Sequence, residues 1–139
     1  MSRIEVLPLR LIPGVDLRKT LEAEVSNRSA PAAFVASGIG SLSAARLRLA
    51  GASDVEALSG DLEILTLAGT LAANGSHLHM SVSDAKGGVS GGHVAPGCIV
   101  RTTAEVLVLL LPDWSFLREP DPATGLRELV VRSREAPRS

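Results

Sequence analysis

HLHMSVSDAKGGVSGGH, running from His77 to His93, contains every histidine of the 139-residue chain. Its reading decides how the middle of the chain folds. A strand places side chains i and i+2 on one face, so His77 and His79 can address a common point. Polar and glycine residues from Asp84 to Gly88 predict a hairpin loop, with Ser83 pairing Val89. In that register His93 stands opposite His79, and directly opposed Cβ atoms lie roughly 4.5–5.5 Å apart. Three imidazoles at that spacing suit a divalent metal, zinc foremost, with a coordination position left for water or a ligand. The alternative reading is three separately hydrogen-bonded histidines near a turn.

Working back from the hairpin, Ile4 to Ile12 alternates loosely and predicts a first strand. Pro13-Gly14 turns the chain into Asp16, a candidate N-cap, and Leu17, Leu21 and Val25 recur at helical spacing. After Pro31 the segment AAFVAS is a short buried strand, and Ser37-Gly38-Ile39-Gly40-Ser41 is expected to turn between strands. Residues 42–51 follow as a strand with Ala45, Leu47 and Leu49 on one side and Arg46 and Arg48 on the other. DVEALSG and DLEILTLAGTL continue in strand pattern up to the hairpin. Beyond it come the turn Ala95-Pro96-Gly97, a long strand CIVRTTAEVLVLLL, a proline-bearing loop from Pro112 to Gly125, and a last strand at 126–133. Glu135 to Ser139 complete a polar tail that starts at 134. One helix against a largely antiparallel sheet is an α+β arrangement, and no linker divides residues 1–139 into two domains.

Composition narrows the function. A chain of this length can bury roughly 68% of its unfolded surface. With 45% hydrophobic and 21% charged residues it has ordinary globular material for a core. Glu105 interrupts the longest apolar stretch, Ala104–Leu111, which is too short to span a bilayer. Cys98 is the single cysteine, so no internal disulfide forms, and no leader pattern opens the chain. A cytoplasmic location is expected. The net charge of −1 argues against the broad positive field behind nonspecific nucleic-acid affinity. Phe34, Trp114 and Phe116 are too few for a base-stacking platform. Arg127, Arg132, Arg134 and Arg138 read as a solvated strand edge and tail rather than a phosphate grip.

Four stretches together resemble the PPC domain, the "plants and prokaryotes conserved" module. They are LRLIPGVDL at 9–17, ASGIGSLSAARLRLAG at 36–51, LSGDLEILTLAGTL at 58–71 and GSHLHMSVSDAKGGVSGGHVAPGCIVRTTAEVLV at 75–108. The GxHLHxSxxDxxGxxxGGH pattern is the most specific of them, and the resemblance covers residues 9–111 in order, within a domain core of 4–111. It implies a mostly antiparallel, barrel-like α+β domain with one long N-terminal helix, similar to the acetolactate decarboxylase fold and assembled as a homotrimer. In some prokaryotic relatives the corresponding histidines hold a metal, which here implies His77, His79 and His93. Plant members act on chromatin and transcription, so DNA or other regulatory proteins are the implied partners. Two departures stand out. The arginine of the plant partner-contact segment GRFEIL is Asp61 in Gly60-Asp61-Leu62-Glu63-Ile64-Leu65, and no Arg-Gly-Arg minor-groove hook is present.

Two functions of different class follow. One is a trimeric, metal-containing regulatory module, DNA-associated by family resemblance. The run Val106–Leu111 is apolar on both faces, as in a strand covered from both sides. The other is a metal-dependent lyase or hydrolase acting on a small carbonyl substrate, since three neutral ligands leave the ion its full charge to polarise a carbonyl or acidify water. Glu63, Arg101 and Glu105 are its candidate catalytic residues, with a surface ion pair between Arg101 and Glu105 as the alternative. Cys98 reads as a buried, inert thiol, Asp84 as a turn former, and Ser76, Ser81 and Ser83 as polar strand positions.

Overall fold

The computed structural model describes residues 2–134, and the polar tail from Glu135, with Arg138, lies outside them. The elements in order are β1 (Glu5–Leu11), α1 (Leu17–Asn27), β2 (Ala32–Arg48), β3 (Val55–Ala72), β4 (Gly75–Ser83), β5 (Val89–Val94), β6 (Ile99–Leu110), β7 (Trp114–Pro120) and β8 (Arg127–Ser133). Six strands form one antiparallel sheet in the order β1-β6-β2-β3-β4-β5, and β7 and β8 form a separate hairpin. The far end of β2 also pairs with β5, Leu47 against Val94 and Arg48 against His93, so the sheet curls back on itself.

Asp16 opens the helix as its cap. One carboxylate oxygen accepts from the Lys19 amide at 3.0 Å, and the other from the Gly97 amide at 2.7 Å. The Ala95-Pro96-Gly97 turn is thereby tied to the helix N-terminus. Leu17, Leu21 and Val25 are buried against the sheet. Each contributes roughly 1.5–3 kcal/mol of apolar burial. The helix is short, not long: 11 residues, or about 16 Å. It ends at Arg28, after which Ser29 takes a left-handed φ of 52° and Pro31 follows.

Two further expectations are corrected. Ser37–Ser41 does not turn, because β2 runs unbroken through it for 17 residues. The glycines serve close approach instead. A Cβ on Gly38 would lie 2.9 Å from Leu67, and one on Gly40 would run into the backbone of Thr103 and Ala104. Register shifts between Val35 and Ser37 and between Gly40 and Leu42 bend the strand there. The stretch Pro112–Gly125 is also not all loop. Trp114 to Pro120 pairs with β8 from Ser133 to Arg127, and the prolines at 112 and 120 bracket the strand.

The core gathers the inward residues of all six sheet strands, among them Val35, Leu42, Leu67, Leu78, Val82, Val100 and Val108. Val106, Val108 and Leu110 of β6 face inward, while Leu107, on the other face, is 37% exposed. Paired residues share a face of a sheet. One rung therefore runs Val6–Leu109–Phe34–Thr70–His77 across five strands, and it ends at the first histidine. Among the described residues no helix is long and apolar enough to cross a membrane.

Candidate metal centre

The hairpin has the expected register. Ser83 pairs Val89 and His79 pairs His93. Asp84 shapes the loop, accepting from the amides of Lys86 at 2.9 Å and Gly88 at 2.8 Å. Leu78 and Met80 point into the core, which leaves His77 and His79 on the opposite, outer face.

The three rings converge. His77 Nε2 lies 3.0 Å from His79 Nε2 and 3.2 Å from His93 Nδ1, and the latter two nitrogens are also 3.2 Å apart. At metal–nitrogen bonds of about 2.0–2.1 Å, tetrahedral ligands stand roughly 3.3 Å apart and octahedral ones roughly 2.9 Å. The observed edges fall between those limits. His77 Nε2, His79 Nε2 and His93 Nδ1 would hold such an ion and could leave it a coordination position for a further ligand. Hydrogen bonding alone cannot hold this triangle. Each imidazole nitrogen either carries a proton or offers a lone pair. Among three mutual neighbours at least two are therefore alike and repel, whereas a cation at the centre takes all three lone pairs. The donor set fits a zinc-like divalent ion.

The surroundings favour the neutral form of His77 and of His93. Burial first, then the Arg118 guanidinium and the two other imidazoles, hold His77 below its ordinary value of 6.5, with Glu128 opposing. Burial and then Arg48 lower His93 in the same way. Arg118 reaches the site through Thr70, the cross-strand partner of His77, whose hydroxyl accepts from its Nη2 at 2.9 Å. Arg48 is the cross-strand partner of His93. A cavity of about 160 Å³ opens beside His77 and His93, lined also by Arg18, Arg48, Val55 and Ser76. Another, of about 280 Å³, lies on the outer face between His77, His79, Thr70 and Phe34.

Glu63, Arg101 and Glu105 are not part of this group. Glu63 pairs with Ser83 at the hairpin tip, whereas Ala68 pairs with His79, so the two rungs are roughly 15 Å apart along β3. Arg101 bonds Glu63 at 3.3 Å and stands 3.7 Å from Asp61, so its ion pairs are with β3 and not with Glu105. Glu105 instead pairs with Arg10 and Ile39 across the sheet. Cys98 is fully buried, its thiol donating to the carbonyls of Arg46 and Ala95, and burial raises its pKa. Ser76 bonds Glu22 of α1, and Ser81 bonds Thr66 at 2.6 Å. Sequence reasoning missed Arg48, Thr70, Arg118 and Glu128. Arg118 lay in a supposed loop, and Arg48 meets His93 only because β2 bends around to β5.

The chain resembles known proteins along nearly its whole length. It is 47% identical over 129 residues to the bifunctional protein GlmU of a Synechococcus strain, covering 93% of this chain and 20% of that protein. It thus spans about a fifth of the length of the curated relatives it matches. A solved hypothetical protein from Salmonella enterica is 41% identical with a TM-score of 0.93, covering 97% of this chain and 98% of that one. A metal-containing protein from Archaeoglobus fulgidus is 27% identical with a TM-score of 0.81, covering 94% and 96%. A Bacteroides thetaiotaomicron protein, described only provisionally as DNA-binding, shares the fold at 20% identity and a TM-score of 0.79, covering 94% and 97%. The model of the Plants and Prokaryotes Conserved (PCC) domain matches residues 2–112. Those residues hold the whole six-stranded sheet and the histidine hairpin, and the chain belongs to the Plants and Prokaryotes Conserved domain family.

Proposed function

We propose that this domain is a metal-dependent regulatory binding module, built around a zinc-like ion on His77, His79 and His93 and assembled as a homotrimer. The near-equilateral triangle of ring nitrogens carries the reading, because its mutual repulsion is relieved only by a shared cation. The metal content of the Archaeoglobus relative, at 27% identity, is consistent with it.

The outer sheet face supports assembly. Val6, Phe34 and Leu107 are 63%, 41% and 37% exposed and lie on or beside the rung that ends at His77. An open apolar face of this kind is a surface that a second copy covers. Docking there sets the metal near a subunit boundary. Leu107→Glu should turn the assembly into monomers by light scattering, and an unchanged mass would remove that face from the interface.

DNA is the partner suggested by the provisional description of fold neighbours. The net charge of −1 makes any such contact weak and steeply salt-dependent. A metal-dependent enzyme is the second reading, favoured by the open coordination side. Against it, Glu63, Arg101 and Glu105 lie away from the histidines within one chain. Metal analysis of the wild type and of His77→Ala and His93→Ala tests the core claim. One ion per chain, lost in both variants, is expected, and unchanged content in both would end it.

A further inference from the structure

We propose that the histidine trio is one half of a site for a small oxyanion, a carboxylate or a phosphate, with the Arg48 and Arg118 guanidinium groups forming the other half. This rests on the metal reading of the trio and names the ligand class of its open side.

Arg118 is the unusual residue. It is only 9% exposed. Among the described residues it forms no ion pair. A guanidinium offers five N–H donors, and the Thr70 hydroxyl answers one of them. No anion meets its other donors among the described residues, and none of its nitrogens is orphaned in the interior. The fold nevertheless pins it in place. The Asn74 side chain donates to the Arg118 carbonyl at 2.9 Å and accepts from its amide at 2.7 Å. Arg48 flanks the other side of the trio, opposite His93, and likewise has no ion pair among the described residues. Among the described residues its side chain bonds the Ala52 carbonyl alone, at 3.2 Å. Arg18 is different, being held by Glu22 and the Val94 carbonyl, both at 2.9 Å.

Three neutral imidazoles leave a divalent ion with its whole charge, beside two further cations. Among the described residues no acid pairs with either arginine. An oxyanion held between the ion of the trio and these guanidinium groups would neutralise this cluster. The cavity between Arg48, His77 and His93 is about 160 Å³, below the ~300 Å³ at which drug-sized sites begin. An acid of a few heavy atoms matches a space of that size.

Metal and anion must then bind cooperatively, each raising the affinity of the other by one factor. Zinc affinity is measured by competition with a chromophoric chelator in non-coordinating salt, and again with acetate and with inorganic phosphate. One of the two anions should tighten wild-type zinc binding at least about tenfold, and which one does so separates carboxylate from phosphate. Without anion, Arg118→Met and Arg48→Met should bind zinc as tightly as wild type or tighter, and should lose most of the response. The arginines sit on different strands, so either variant suffices if the other fails to fold. One zinc per chain with an affinity indifferent to both anions overturns the proposal and spares the metal reading. Variants that respond like wild type overturn it too. Failure to bind zinc at all removes both.

Discussion

Deleting one imidazole of the trio should separate metal binding from folding. Zinc held about 100-fold above its dissociation constant adds ~2.7 kcal/mol to the folded state. In a domain of 139 residues, each kcal/mol moves Tm by about 3 °C, so zinc should raise the wild-type Tm by ~8 °C. His93→Ala leaves two ligands on β4 and removes the only one supplied by β5. It should keep less than about a quarter of that rise. In chelator the sign differs. Two of the three nitrogens, which lie 3.0–3.2 Å apart, face each other with like character. Removing His93 relieves that, so the metal-free variant should melt no lower than the metal-free wild type. The assay is calorimetry at one fixed protein concentration, with and without buffered zinc. Equal zinc-dependent rises in wild type and His93→Ala would refute the reasoning. So would a metal-free variant that melts well below metal-free wild type.

Other outcomes follow from single residues. Gly69 has a φ of 149°, and a Cβ there would run into the His77 carbonyl and the Leu78 backbone. Gly69→Ala should therefore cost at least about 2 kcal/mol in denaturant melts and weaken zinc binding as well, since β4 must shift at the histidine rung. Stability lost with zinc binding intact would argue against that coupling. Cys98 should resist iodoacetamide in the folded protein and react fully in denaturant, because burial raises its pKa and leaves little thiolate. Rapid native labelling, followed by mass spectrometry, would contradict this. His77 and His93 both titrate below 6.5, so protons should displace zinc only as pH falls below that value. The zinc-dependent Tm rise should be complete near neutrality and fade toward about pH 5. A rise that fades above 6.5, or persists undiminished at the acid end, would show that these imidazoles are not the ligands.

The hairpin register was legible before any fold was known, because two local facts specify it. The loop Asp84–Gly88 carries its own turn chemistry, with the Asp84 carboxylate on the Lys86 and Gly88 amides. Strand periodicity then sets His79 against His93. The helix from Leu17, capped by Asp16, and the burial of Cys98 were legible for the same reason. The residues around the trio were not. Glycine between strands reads as a turn, and only the presence of Leu67, Thr103 and Ala104 against Gly38 and Gly40 shows that it clears space for a neighbouring strand. Prolines on either side of β7 masked the strand that brings Arg118 to Thr70. Parity along β6 placed Arg101 and Glu105 on one face, yet Arg101 found its acids across the sheet, on β3. Pattern along the chain thus brought the three histidines together, because they sit within one hairpin and answer to nearest-neighbour geometry. The charges that surround them come from β2, β7 and β8, and their arrival depends on how distant strands bend and pair, which no local pattern encodes.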